Sequence, residues 1–454
     1  MSMRVGLITL GCDKNTVDNE YLAGQLESAG CDVVAVGDDN ASGLDAVIIT
    51  TCGFIGDAKQ QSVDTIVEWT ERKAETDGPK RVYVAGCLAQ RYADELMKEI
   101  PEIDGIVGVG QFQRLTHMIL ETGSPKVGVE HVPSVAIYPF MQRRRLDTKP
   151  YTFLKISDGC NHACTFCSIP LMKGKHRSVQ PQILQEEVRS LVSQGVREFN
   201  LVAQDLADYG RDLGKDYRLP ELLRDLCAVD GDFWLRCLYV YPGGVTDAFL
   251  DVMTSEKKIV PYLDMPLQHL DPSTLKRMKR PYREANTAEL VRRLRDAVPG
   301  LALRTTMIVG FPGESDIAHR HMLDDLAALR FNWLGSFQYS LEDDTPAGQA
   351  EDQIEDRIKE QRWRAVMELQ AEITESYNRA RVGTRTRILI EDYDEGEGCY
   401  VGRSATEAPE VDGCVYVQSE APLAVGQFVA VEIVDSDVYD VTGRVTQSVT
   451  AISS

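Results

Sequence analysis

Apolar and polar positions alternate with two different periods along the first 122 residues. Short runs rich in Val and Ile, at residues 4–10, 46–50 and 81–85, have the composition of buried strands. Stretches of helical composition follow them, for example residues 57–73 and 92–99. This succession of strands and helices predicts a parallel sheet with helices on both faces.

The same succession returns between residues 151 and 340. Its strand candidates are residues 153–156, 198–202, 234–240, 260–265, 303–309 and 334–339. Six strand–helix units in about two hundred residues predict a partial (β/α)6 barrel of the TIM type rather than the full eightfold barrel. The charged segment 351–381 has apolar residues near helical spacing and predicts one long helix.

The last segment, 385–454, alternates apolar and polar residues one by one, at residues 386–390, 414–418 and 428–433, with glycines at the turns. This pattern predicts a small antiparallel β-barrel. Four prolines interrupt residues 123–150, which therefore read as a linker. The predicted α/β organisation is a domain at 1–122, a linker at 123–150, a barrel with a helical extension at 151–381, and a β-barrel at 385–454.

The charge of the chain is strongly acidic. Its 454 residues include 49 Lys and Arg against 70 Asp and Glu, a net charge of −21. Residues 385–454 alone hold 4 arginines, no lysine and 13 acidic residues, a net charge of −9. Phosphate backbones repel such a surface, so the charge argues against nucleic acid and favours a basic protein as partner. Solubility alone is the plain alternative.

The chain shows no targeting or membrane signal. No apolar run approaches the ~18–20 residues that a membrane span needs. The N-terminus enters a strand-like run at once and lacks a signal-peptide core and cleavage site. These features predict a cytoplasmic protein without membrane contact. Eleven cysteines in such a reducing compartment are buried thiols, metal ligands or catalytic groups.

Three cysteines follow the first strand of the predicted barrel. Cys160, Cys164 and Cys167 form a Cys-x3-Cys-x2-Cys motif, and we call them the loop cysteines. Three thiolates on one loop suit an iron–sulfur cluster with one iron left open for substrate or cofactor, because such clusters usually take four protein cysteines. A zinc site completed by His162 or a distant ligand is the alternative.

Three further cysteines, the N-terminal cysteines, are separated in sequence but alike in context. Cys12, Cys52 and Cys87 each lie just beyond the carboxyl end of a predicted strand. These ends share one edge of a doubly wound sheet, where ligands bind. A single strand-end cysteine is usually a small buried hydrophobic residue. Three together predict a second cluster, also with an open iron.

Polar and glycine-rich positions at the barrel strand ends are candidates for cofactor binding, since barrel active sites gather there. Gly310 and Glu314 bound a Gly-Phe-Pro-Gly-Glu loop after the fifth strand, and Gln204 follows the second. Arg304 lies inside the fifth strand, where a charge facing the lumen needs an anionic partner. A tight turn, a helix cap and a solvated outward-facing charge are the structural alternatives.

Four motifs resemble the signatures of one enzyme family. Residues 10–15 (Leu-Gly-Cys-Asp-Lys-Asn), 51–55 (Thr-Cys-Gly-Phe-Ile) and 86–92 (Gly-Cys-Leu-Ala-Gln-Arg-Tyr) each contain one N-terminal cysteine. Residues 159–170 contain the loop cysteines. In these motifs and their order, the chain resembles the methylthiotransferase family of radical S-adenosylmethionine (SAM) enzymes over essentially its whole length. The resemblance implies a flavodoxin-like first domain, a radical SAM barrel and a TRAM-like C-terminal barrel.

The resemblance also implies the chemistry. A 4Fe–4S cluster on the loop cysteines would bind SAM and split it to a 5′-deoxyadenosyl radical, which abstracts hydrogen from the substrate. A second 4Fe–4S cluster on the N-terminal cysteines would hold the sulfur that is methylated and transferred. A low-potential electron donor of the flavodoxin or ferredoxin type and a sulfur donor are implied partners. Gln204, Arg304, Gly310 and Glu314 are the predicted SAM-binding residues.

The family has a branch that modifies a tRNA adenosine and one that modifies the β-carbon of an aspartate on a small-subunit ribosomal protein, S-twelve. The acidic C-terminal barrel favours the second, basic substrate. So does Glu342, in an acidic segment that resembles a motif carrying arginine in the tRNA branch; Glu342 is the predicted substrate-binding residue. The basic run Arg143-Arg144-Arg145 is suited to contact phosphate, so a tRNA-modifying enzyme is the second hypothesis. A non-enzymatic iron–sulfur protein is the third. Residues 171–173 (Leu-Met-Lys) depart from the family pattern before Gly174.

Overall fold

The computed structural model describes residues 2–37, 40–121, 126–130, 143–280 and 287–446. Most of the predicted linker, residues 123–125 and 131–142, lies outside this part of the chain. The chain divides into two compact units. The first comprises Met1–Thr148, Lys155–Val179 and Ser340–Gln349, and the second comprises Lys149–Leu154, Gln180–Tyr339 and Ala350–Ser454.

A six-stranded parallel sheet forms the centre of the first unit. Its strands in chain order are β1 (Arg4–Thr9), β2 (Asp32–Ala35), β3 (Ala46–Thr51), β4 (Val82–Gly86), β5 (Gly105–Val107) and β6 (Val127–Gly128). The spatial order is β2-β1-β3-β4-β5-β6, and every pair is parallel. This is the flavodoxin-like order, as predicted. β6 extends the sheet into the region predicted as linker.

Helices cover this sheet on both faces. They are α1 (Asp13–Ser28), α2 (Gly56–Glu71), α3 (Cys87–Glu99) and α4 (Phe112–Leu120). One apolar core lies between the sheet and α1 and α4, and a second lies between the sheet and α2 and α3. β3 is buried along its whole length, which is why its sequence is an uninterrupted run of apolar and threonine residues.

The radical SAM motif of the sequence follows β7 (Tyr151–Lys155), whose last residue begins the second segment of the first unit. Next come β8 (Ser157–Asp158), α5 (Ile169–Lys173) and β9 (Arg177–Ser178). β8 and β9 pair antiparallel and close the base of the loop that carries the loop cysteines.

The second unit contains an open parallel sheet of six strands. After β7 these are β10 (Glu198–Val202), β11 (Trp234–Cys237), β12 (Ile259–Asp264), β13 (Ala302–Val309) and β14 (Trp333–Gln338), in the order β14-β13-β12-β11-β10-β7. The helices are α6 (Pro181–Ser193), α7 (Leu219–Cys227), α8 (Asp247–Ser255), α9 (Pro272–Arg277), α10 (Thr287–Ala297), α11 (Asp316–Leu329) and α12 (Asp356–Arg381). The predicted partial barrel is confirmed. β11 ends three residues before its predicted limit.

Five strands close into a barrel at the end of the second unit. They are β15 (Arg385–Asp394), β16 (Cys399–Ser404), β17 (Val415–Gln418), β18 (Phe428–Ser436) and β19 (Val441–Val445). Alternate aliphatic side chains fill the interior. The barrel is antiparallel except for β17 and β19, which pair in parallel.

Hydrophobic helices of membrane-spanning length are not found in the described ranges: none is both long and apolar enough to cross a bilayer.

Candidate active site

The N-terminal cysteines lie at the carboxyl edge of the first sheet. Cys12 immediately precedes α1, Cys52 follows β3, and Cys87 is the first residue of α3. The backbone around them is tightly packed. Gly11 has a φ of +94°, and a Cβ at this position would lie 2.7 Å from the Cβ of Cys52. Only glycine tolerates both conditions, so the turn before Cys12 brings this segment against Cys52.

The three thiols influence one another electrostatically. Burial raises the pKa of the Cys87 thiol to about 12, and the thiols of Cys12 and Cys52 add to this, while Lys173 acts in the opposite direction. Burial also raises the pKa of Cys52, again with a contribution from Cys12. Cys12 thus contributes to the pKa of both other thiols, although it lies 75 positions from Cys87 in the sequence.

The loop cysteines occupy a turn fixed by backbone hydrogen bonds. The amide of Cys160 donates to the carbonyl of Gly174 over 3.1 Å, and the amide of Cys167 donates to Cys164 over 3.2 Å. Gly159, with a φ of +76°, lies so close to the carbonyl of Lys175 that a Cβ would approach it to 2.2 Å. The loop is therefore held at both ends, and its three thiols lie between them.

Both cysteine groups belong to the first unit, and one apolar contact joins their segments. Met172 of α5 is buried against Cys87 and Val109, with Ile169 at the edge of the same cluster. The helix that follows the loop cysteines thus packs on the first residue of α3.

A buried network of four charges lies beside this contact. Lys173 pairs with Asp18 at 3.3 Å and with Asp158 at 3.5 Å, and Lys155 pairs with the same two carboxylates. All four side chains are at most 6% exposed. Asp18 lies on α1, whereas the other three flank the loop cysteines in sequence. The first signature of the fold and the radical SAM signature are therefore joined by ion pairs.

The cysteine thiols do not form a compact ligand group within the described residues. Around one zinc ion, thiolates at about 2.3 Å from the metal stand roughly 4 Å apart. Within the described ranges, no three potential ligands that include a cysteine have all their ligand atoms within 4.8 Å of one another. All eleven cysteines lie in those ranges, and none forms a disulfide. Each of the two groups therefore offers three unbridged thiols as potential ligands, and the iron–sulfur clusters predicted from the sequence stay predictions.

In the second unit, Glu314 is fully buried and organises the loop after β13. Its carboxylate accepts from the amide of Gly310 and pairs with His269 and His319, each at 3.5 Å, and with Arg362 at 3.2 Å. Burial acts to raise its pKa, but the two histidines and Arg362 outweigh burial and lower it to about 2. The carboxylate of Glu314 thus contacts protein groups and positions Gly310, and the SAM contact predicted for Glu314 stays a prediction.

Arg304 also finds its partners within the protein. Its guanidinium pairs with Asp264 at 3.4 Å and with Asp412 at 3.2 Å. Asp412, in the C-terminal barrel, also accepts a hydrogen bond of 2.6 Å from Tyr262. Two buried carboxylates thus supply the anionic partner that the charge of Arg304 requires, and its predicted SAM-binding role stays a prediction.

The other two barrel candidates, Gln204 and Gly310, lie just beyond the ends of strands. Gln204 lies half-buried two residues beyond β10. Its neighbour Asp205 accepts from the amides of Ala207 at 2.9 Å and Tyr241 at 3.2 Å, so it caps the short helix that follows. Gly310 donates its amide to Glu314. The SAM-binding roles predicted for Gln204 and Gly310 stay predictions.

Glu342 is buried in the first unit and bound to cations. It pairs with Arg91 at 2.7 Å and with Lys59 at 3.0 Å, and its side chain is 2% exposed. Its carboxylate thus attaches the segment Ser340–Gln349 to α2 and α3, and the substrate-binding role predicted for Glu342 stays a prediction. The arginine run 143–145 is likewise paired: these residues contact Glu20, Glu27 and Asp147 respectively.

Glu342 and Asp344 form a matched pair for mutation, because both contact Arg91 but Asp344 is 66% exposed. Glu342→Gln leaves a buried guanidinium short of its main counter-charge, and we expect a loss of about 3 kcal/mol in the free energy of unfolding. Asp344→Asn removes an exposed partner, and we expect less than about 1 kcal/mol. Chemical denaturation of the two variants measures the difference. Equal losses would contradict the attachment role of Glu342.

Comparison with protein families covers most of the chain. The model described as "Uncharacterized protein family UPF0004" matches residues 4–108, the Radical SAM superfamily matches 154–326, and the TRAM domain matches 382–446. The ribosomal protein uS12 methylthiotransferase RimO of Geotalea uraniireducens is 40% identical over 445 residues, which is 97% of this chain and 98% of that relative. The RimO of Desulforamulus reducens is 40% identical over 98% of this chain and 99% of its own.

The chain belongs to the uS12 methylthiotransferase family. Membership of this radical SAM family implies SAM and a 4Fe–4S cluster as cofactors. Solved structures agree on the fold. The radical SAM methyltransferase TsrM of Kitasatospora setae superposes with a TM-score of 0.57 at 17% identity over 77% of each chain. The cobalamin-dependent radical SAM enzyme OxsB gives 0.53 at 13% identity over 76% of this chain and 55% of that one.

The sequence reasoning missed several residues that this uS12 methylthiotransferase family member uses to hold its site together. Lys155, Asp18 and Asp158 carry no local signal, since their partners are up to 155 residues away. His319 and Arg362 are ordinary surface-type residues of amphipathic helices in sequence, and only the fold brings them to Glu314.

Proposed function

We propose that this chain inserts a methylthio group at the β-carbon of an aspartate of ribosomal protein uS12, in a radical SAM reaction. The observation that carries the proposal is the pair of three-thiol groups, joined in one compact unit of a chain that is 40% identical to uS12 methylthiotransferases over nearly its full length. The domains we propose are those at 1–122, 151–381 and 385–454, with 123–150 between them.

The loop cysteines are the ligands we propose for the 4Fe–4S cluster that the family implies, and the N-terminal cysteines for a second 4Fe–4S cluster. When bound, these groups and SAM supply the radical, the sulfur and the methyl group. The protein residues bind and orient. Gly159 and the hydrogen bonds to Cys160 and Cys167 fix the loop, and Gly11 fixes the turn between Cys12 and Cys52.

Four barrel residues are proposed to contact SAM: Gln204, Arg304, Gly310 and Glu314. Gln204 follows β10, and Gly310 follows β13, at the strand ends where barrel enzymes bind their substrates. Glu314 also fixes the position of Gly310, because its carboxylate accepts a hydrogen bond from the Gly310 amide and pairs with two histidines and an arginine. Such a loop is rigid before the ligand arrives, which lowers the entropy lost on binding.

The surface charge supports a basic protein substrate. Seven acidic side chains of the C-terminal barrel are exposed, against three exposed arginines; the acids are Asp392, Glu395, Glu397, Glu410, Glu420, Asp435 and Asp437. The pairing of all three arginines of the run 143–145 removes the feature that favoured tRNA. The partners we propose beyond uS12 are a low-potential flavodoxin or ferredoxin and a sulfur donor, in the cytoplasm.

The test is a mass spectrum of uS12 after anaerobic reaction with reconstituted enzyme, SAM, a reductant and sulfide. We expect a methylthio mass gain on one aspartate and no change in tRNA tested in parallel. A gain on tRNA adenosine would overturn the substrate assignment. If the enzyme cleaves SAM but neither uS12 nor tRNA gains mass, the assignment of uS12 as substrate is overturned. The proposal that the chain performs radical SAM chemistry would stand in that case.

A further inference from the structure

Lys173 is a buried cation in an unusual place. It is the last residue of α5, six positions after Cys167, and its side chain is 4% exposed. Burying an ammonium is costly unless charged or hydrogen-bonding groups surround it. Two carboxylates do so, Asp18 at 3.3 Å and Asp158 at 3.5 Å.

These two carboxylates do not use all of its hydrogen-bonding capacity. A lysine ammonium has three N–H donors, so two carboxylate neighbours leave one donor. Lys155 shares both carboxylates, which makes the buried network neutral, with two positive and two negative groups. Burial acts to lower the pKa of Lys173, but Asp158 and Asp18, with smaller contributions from Cys87 and Cys12, raise it well above its ordinary value.

Packing places the same helix at the N-terminal cysteines. Met172, the neighbour of Lys173, is buried against Cys87 in the cluster that also includes Val109. α5 therefore packs on the first residue of α3 through the side chain of Met172, and Lys173 is the next residue of the same helix. Its partner Asp18 lies on α1, which begins immediately after Cys12.

We propose that Lys173 is a positioning residue for the iron–sulfur cluster on the N-terminal cysteines, to which it would offer its remaining donor and whose reduction potential its charge would raise. This inference rests on the proposed function, since it requires that cluster. Three thiolates make the site anionic, and reduction adds one more negative charge. A fixed positive charge stabilises the reduced form more than the oxidised form, and hydrogen bonds to cluster sulfurs act in the same direction.

The experiment measures the potential of this cluster by itself. In the full-length chain, Cys160→Ala, Cys164→Ala and Cys167→Ala together remove the loop-cysteine ligands and keep the N-terminal ones. Anaerobic reconstitution is followed by iron and sulfide analysis and by a dithionite titration monitored by electron paramagnetic resonance. In this background we expect Lys173→Met to shift the midpoint potential negative, by about 59 mV for a tenfold change in a one-electron equilibrium.

Two controls separate charge from damage to the fold. Asp18→Asn breaks the same network but removes a negative charge, so it should shift the potential in the positive direction. Lys175→Met removes an exposed lysine two residues away and should leave the potential unchanged. Lys173→Arg keeps the charge and should keep the potential closer to the parent value than Lys173→Met does.

The outcomes are distinguishable. If both the background chain and its Lys173→Met variant bind iron and sulfide and have the same midpoint potential, the proposed role of Lys173 is overturned. Shifts of the same sign for Lys173→Met and Asp18→Asn would also overturn it, because they would report loss of packing. A background chain that binds no iron would instead overturn the second cluster of the proposed function.

Discussion

Replacing Cys164 by Ala is expected to abolish the cleavage of SAM to 5′-deoxyadenosine, whereas replacing Cys52 by Ala is expected to preserve that cleavage and to stop methylthio transfer. The two residues lie in different three-thiol groups of the same compact unit. Even groups that only support metal ligands change affinity or activity by about 10–100-fold when removed, so loss of a ligand should exceed about 100-fold.

The measurement follows two products from the same reaction, 5′-deoxyadenosine by chromatography and methylthio-uS12 by mass spectrometry. Cys399→Ala is the control, since this half-exposed thiol lies in the C-terminal barrel and in neither group. It should change neither product. Normal transfer by Cys52→Ala would contradict the second cluster, and loss of SAM cleavage in both variants would mean that the two groups do not act separately.

Much of the fold was predictable because buried parallel strands leave a clear apolar pattern. β10 matches its predicted bounds, and β3 extends one residue beyond them. The barrel strands β16 and β19 were missed. β16 is Cys-Tyr-Val-Gly-Arg-Ser and β19 is Val-Thr-Gly-Arg-Val, and each contains a glycine and a charged residue that weaken the alternation. Their pairing depends on the closed barrel, which local sequence does not encode.

Some features of the candidate site could also be predicted from the sequence, and others could not. That the N-terminal cysteines follow strand ends could be predicted, because a doubly wound topology places these ends at one edge; their role as ligands stays a prediction. The partners of single charges could not be predicted. Arg304 meets Asp412 from 108 positions away, and Glu342 meets Arg91 from 251 positions away. A charged residue within an apolar run indicates that it needs a partner, but tertiary packing determines which residue that partner is.

The second large effect is expected for Glu198→Gln, which should lower the free energy of unfolding by about 3–5 kcal/mol. Glu198 is a fully buried residue of β10, paired with Arg236 of β11 at 2.7 Å and with Arg403 of β16 at 2.6 Å. It therefore joins the parallel sheet to the C-terminal barrel. An amide of the same shape keeps the packing but leaves two buried guanidinium groups without this counter-charge.

The pH dependence identifies the cause of that loss. Burial acts to raise the pKa of Glu198, but Arg403 and Arg236 outweigh burial and lower it. A carboxyl with a depressed pKa in the folded state stabilises the protein above its ordinary pKa, and this contribution disappears as the pH falls through the folded value. The stability difference between the parent and Glu198→Gln should therefore be full at neutral pH and shrink in acid.

Glu375→Gln, which breaks an exposed pair with Arg379 on α12, should cost less than about 1 kcal/mol. Denaturant unfolding from neutral to acidic pH measures all three proteins, and a difference that does not change with pH would mean that Glu198 acts through packing rather than through its charge.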